Sequence, residues 1–173
     1  MSQYGYEIKT SLDFYKKLLD EREDFLKNPT SSRFAINCAF TGWHLHEWIY
    51  KEYKRSSPAL NQYRDKQEFR AFLYSHCPSL HTFRDLADGS KHFVIDQRPS
   101  SILNTEIKKT GERLVHRKIL EGPTLIVRIK FGEVGAIITF HDLLYEVTSY
   151  WYTFLRKNLN LDVEAVLNDY TSF

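Results

Sequence analysis

Three helix-stopping pairs, Asn28-Pro29, Ser57-Pro58 and Cys77-Pro78, cut the first half of the chain into short segments. Proline lacks a backbone donor and pushes the residue before it out of helical geometry, so each pair marks a helix boundary. Between the stops, apolar residues recur three and four apart, which is helical spacing. Leu12, Tyr15, Leu18, Leu19 and Leu26 predict a helix from Ser11 to about Leu26, and Phe34, Ala35, Cys38, Leu45, Trp48 and Ile49 predict the longest one, capped by Ser31 or Ser32 and reaching Lys54. A shorter helix starts at Asp65 or Lys66, buries Phe69, Phe72 and Leu73, and stops at Cys77. Ser79 then caps a helix with Leu80, Phe83, Leu86 and Ala87 on its apolar face.

Beyond Val94 the pattern changes. Arg98-Pro99-Ser100-Ser101 reads as a turn, and Leu125 to Lys130 interleaves β-branched residues with Arg128 and Lys130, which predicts a strand. Gly132 and Gly135 lie between that run and Ala136 to Phe140, so the two are expected to form a hairpin, joined by a strand near Arg113 to Leu120. Asp142 is the expected cap of a last long helix, Leu143 to Asn158, and Asp162 to Asn168 adds a short one. The expected fold is therefore mainly α: one domain over residues 1–173, a bundle of four or five helices, with a small antiparallel hairpin of two or three strands inserted at about 113–140.

Charge narrows the function classes. Lys and Arg number 24 against 22 Asp and Glu, so the formal charge of +2 supplies no long-range field toward nucleic acid or anionic membrane. Any RNA contact has to be local. Apolar runs such as Leu125-Ile126-Val127 and Ala136-Ile137-Ile138 are too short to span a bilayer, and Met1-Ser2-Gln3-Tyr4 does not open a signal peptide, so a cytoplasmic protein without membrane contact is expected. Cys38 and Cys77 sit in apolar helical settings without metal-type spacing, which suits buried free thiols.

Two stretches carry candidate chemistry. Phe83 to Phe93 packs Arg84, Asp85, Asp88, Lys91 and His92 into eleven residues, and in a helix Arg84, Asp88 and His92 share a face with Lys91 at its edge. A histidine titrating near neutrality can move a proton, and a neighbouring cation can hold a phosphate whose charge grows in a transition state. The same row equally reads as pairing within a helix end. Trp43-His44-Leu45-His46-Glu47-Trp48 is the second stretch: His44 and Glu47 share a face, His44 and His46 do not, so the two histidines make a poor metal clamp. A metal site from His44, Glu47, Asp88 and His92 is a minor alternative, and no metal or cofactor is expected. Gly132-Glu133-Val134-Gly135 lacks the strand-to-helix context of a phosphate loop, and no Gly-x-Ser-x-Gly elbow occurs.

Trp43-His44-Leu45 with Glu47-Trp48, the run Arg84 to His92, and a late hairpin leading into Tyr150-Trp151-Tyr152-Thr153-Phe154-Leu155 together resemble HEPN domains (higher eukaryote and prokaryote nucleotide-binding), over most of the chain. The resemblance implies a helical bundle of prokaryotic type, often dimeric, that is either a metal-independent ribonuclease of toxin or phage-defence systems or a domain that binds without catalysis. In the ribonuclease form His92 would be the acid or base, Arg84 and Lys91 would hold the scissile phosphate, Asp88 would orient His92, and His44, Glu47, Trp43 and Trp48 would line the pocket. Seven residues stand between Arg84 and His92, more than the family's catalytic motif carries. In the binding form the same row is structural, and the partner is a cognate protein or a second copy.

Overall fold

A computed structural model describes residues 7–89, 102–108, 112–115, 118–131 and 134–167. The chain is a helical bundle with antiparallel strands inserted before the last long helix. In order, α1 is Ser11–Lys27, α2 Ser32–Tyr53, α3 Pro58–Asn61, α4 Lys66–His76 and α5 Ser79–Gly89. Then come β1 Ile102–Lys108, β2 Glu112–Val115, β3 Lys118–Glu121, β4 Thr124–Phe131 and β5 Val134–Thr139, followed by α6 Phe140–Leu159 and α7 Glu164–Leu167.

Local chemistry sets the helix ends. Thr10 and Asp13 form a reciprocal capping box on α1, Ser31 caps α2, and Asp65 accepts the amides of Gln67 and Glu68 at the start of α4. The start of α6 departs from the sequence expectation. Its cap is Thr139, whose hydroxyl accepts the Asp142 amide at 3.0 Å and donates to the Asp142 carboxylate at 2.6 Å. Asp142 thus sits inside the first turn, where the positive end of the helix dipole favours a carboxylate, and Phe140 and His141 are helical. At the other end Asn160 adopts φ 54°, a left-handed conformation that an asparagine tolerates in closing a helix.

The strands also extend the expectation. Strand order β1-β4-β5 makes one three-stranded antiparallel sheet, and β2-β3 a separate hairpin covering the segment near Arg113 to Leu120. The insertion begins at Ile102, ahead of residue 113; β1 pairs Ile107 with Leu125, and β5 pairs Ile138 with Val127. Leu125 donates its amide to the carbonyl of Pro29 at 3.1 Å, which ties the sheet to the α1–α2 corner.

Aromatic residues fill the core between α1, α2, α5 and α6. Phe140 meets Phe25 edge-on at 4.9 Å and stacks on Phe83 at 5.7 Å, and Phe25, rather than the expected Leu26, is fully buried at the end of α1. The buried Trp151 indole donates to the Gly42 carbonyl at 2.9 Å, so its one polar atom is satisfied. Cys38 and Cys77 are buried free thiols. Among the described residues no helix is long and apolar enough to cross a membrane.

Candidate functional site

Glu47 is the hub of a polar network at the junction of α2 and α4. Lys66 and Arg70, one turn apart on α4, each donate to Glu47 Oε1 at 2.9 Å, and His44 Nδ1 lies 3.4 Å from Oε2. Burial pushes the Glu47 carboxyl up, but the hydrogen bond and charge of Lys66 together with the neighbouring imidazoles outweigh it and bring it down to about 2.

His46 adjoins this network from the core side, its Nε2 3.9 Å from Glu47 Oε1, and its side chain is fully buried. Its two ring nitrogens have fixed roles. The Trp43 carbonyl can only accept, so Nδ1 carries the proton and donates to it; the Arg70 guanidinium can only donate, so Nε2 accepts from Arg70 Nε at 2.8 Å. A second proton would set two donors against each other. Burial, the larger cause, and the charge of Arg70 together hold His46 down to about 4.

Aromatic rings continue the network toward α5. Trp43 lies under the Arg70 guanidinium, 5.5 Å from ring centre to carbon, and stacks on Tyr74 at 5.5 Å with planes 7° apart. Tyr74 in turn stacks on His81 at 3.6 Å and lies 5.5 Å beneath the Arg84 guanidinium. Arg84 sends both Nε and Nη2 to Asp85 Oδ1, at 2.8 and 2.7 Å. The Asp85 side chain is 0% exposed and that of Arg84 16%. Glu47, Arg70, His46, Trp43, Tyr74, Arg84 and Asp85 therefore form one chain of contacts that joins α2, α4 and α5.

Of the residues expected to carry chemistry, Arg84 and Asp88 lie on α5 as the spacing predicts, but Arg84 is paired with its neighbour Asp85 and not with Asp88 a turn further on. Lys91 and His92 lie outside the described residues. Trp43, His44 and Glu47 come together in the network. Trp48 faces away from it, stacked on Phe14 of α1 at 4.9 Å. Among the described residues no group of three or more His, Cys, Asp and Glu side chains could hold a metal ion.

Lys66, Arg70, Tyr74 and His81 do not stand out as site residues in the sequence, and Asp85 stands out only as one of the charges of the Phe83 to Phe93 stretch. Lys66 and Arg70 carry a signal, since two cations one turn apart form a basic edge, and His81 carries another, being three residues before Arg84. His81 is half-buried, and burial followed by the Arg84 charge lowers its pKa. An open groove of about 510 Å³ borders the network at Glu47 and is lined by Lys9, Glu47, Trp48, Lys51 and Glu52.

No protein-family model, curated protein or solved structure matches the chain.

Proposed function

We propose that the chain is a non-catalytic interaction module of the cytoplasm, a HEPN-like bundle that binds a partner protein, in which the polar residues of α2, α4 and α5 fix how the helices pack. One observation carries this reading: Arg84, the residue that would hold a phosphate, has two of its donors engaged by a fully buried carboxylate. Giving those donors to a ligand would strip a buried carboxylate of two charge-assisted hydrogen bonds, which costs several kcal/mol. His46 is equally committed, neutral and donating to a backbone carbonyl, so it has no proton to exchange near neutrality. Buried free thiols support a reducing compartment. On the outside of α2, Ile36 and Phe40, one turn apart, are 37% and 38% exposed and offer a partner an apolar contact.

Incubating the purified protein with a mixed RNA pool in the presence of a chelator tests the reading. No cleavage above a protein-free blank, at equimolar protein and RNA, is the expected result. Cleavage that disappears in Arg84→Lys while the melting temperature stays unchanged would overturn it and establish a metal-independent ribonuclease.

A further inference from the structure

The groove between the start of α1 and the second half of α2 carries two ammonium groups that make no hydrogen bond among the described residues, although the Lys9 charge also acts on Asp13. Of the acids around it, Glu47 is taken by Lys66 and Arg70, and Glu52 accepts the Ser11 amide at 2.7 Å. Asp13, the acid facing Lys9 from α1, accepts the backbone amides of Lys9 and Thr10 at 3.0 and 2.9 Å. The two lysines differ. Lys9 and Lys51 are exposed, both line the groove, and neither ammonium has a hydrogen-bonded or ion-paired partner among the described residues. The half-buried Trp48 indole lines the same groove, braced by its stack on Phe14.

A rigid indole in a groove with two exposed ammonium groups, neither held by a hydrogen bond, matches a ligand with a flat ring and an acidic group. The ring gains from stacking and the anion from charge-assisted hydrogen bonds. A volume of about 510 Å³ suits a small molecule of this kind. We infer that this groove is a binding site for a planar aromatic anion, with Trp48 as the stacking surface and Lys9 and Lys51 as the anion-holding pair. It meets the α2–α4–α5 network at Glu47 but uses other residues to hold the ligand, and it does not depend on whether the protein is catalytic.

Isothermal titration calorimetry with 1-naphthyl phosphate, 1-naphthoate and the uncharged 1-naphthol tests the site. At least one anion should bind about tenfold more tightly than naphthol, as two partly exposed ion pairs permit, and the stronger of the two anions identifies the acidic group. The double variant Lys9→Gln with Lys51→Gln should remove that advantage while melting as the wild type does, and Trp48→Phe, which keeps a ring on Phe14, should weaken all three ligands. Equal affinity for naphthol and both anions, an undiminished anion preference in the double lysine variant, or no binding of any of the three would overturn the inference.

Discussion

His46 shows how one side chain's chemistry is set by what its partners can do. With a carbonyl on one nitrogen and a guanidinium on the other, only the neutral ring with the proton on Nδ1 fits, and its pKa falls from 6.5 to about 4. The unfolded chain therefore binds more protons than the folded one between those two values. His46 contributes its full stability above about pH 6.5, and the contribution is lost as the pH falls through that window toward 4. Urea unfolding at pH 7 and pH 5 should show a loss of about 1–2 kcal/mol in the wild type beyond that seen in His46→Gln, which cannot titrate. An identical pH dependence in the two proteins would show that His46 is not held neutral. His44, two residues earlier, is on a different helix face and half-buried beside Glu47, as the spacing alone indicates.

At the scale of elements, α2 is the helix that the others pack around, and Gly42 sets how closely they approach. A Cβ there would come within 2.8 Å of Cδ1 and Cε1 of Phe83 and 3.3 Å of Cγ1 of Val147. Phe83 is fully buried and stacked on Phe140, so its ring has nowhere to go. Alanine gains about 1 kcal/mol over glycine in helix propensity, but overpacking costs about 1–3 kcal/mol, and the crowding on two helices should win. Gly42→Ala should therefore lose about 1–2 kcal/mol in chemical denaturation, whereas a gain would mean that α5 and α6 can shift away. Helix positions were legible in the sequence because the proline stops and the apolar spacing are local signals: Ser11–Lys27 and Lys66–His76 fall within a residue of where they are expected. The β1 strand was not, since Ile102–Lys108 mixes Asn, Thr, Glu and Lys with its apolar residues and gains its place by pairing with β4 and by packing Ile102 against the core. Thr139 does not stand out as the α6 cap for a similar reason, as it also ends a strand.

Across the whole molecule, rows within a helix could be read and contacts between helices could not. The Arg84–Asp88 row follows from spacing, yet the partner that Arg84 takes is Asp85, whose complete burial depends on how α5 sits against its neighbours. Likewise Glu47 was visible as a neighbour of His44, while Lys66 and Arg70 reach it only because α4 packs alongside α2. The central claim, that these polar residues hold the bundle together, is tested most directly by equilibrium urea unfolding of Arg84→Met beside the wild type. The side chains are similar in length, so the main change is that the buried Asp85 carboxylate loses its two guanidinium hydrogen bonds, and a loss of about 3 kcal/mol is expected. Stability within about 0.5 kcal/mol of the wild type, the range of an ordinary surface substitution, would contradict a structural role for the network.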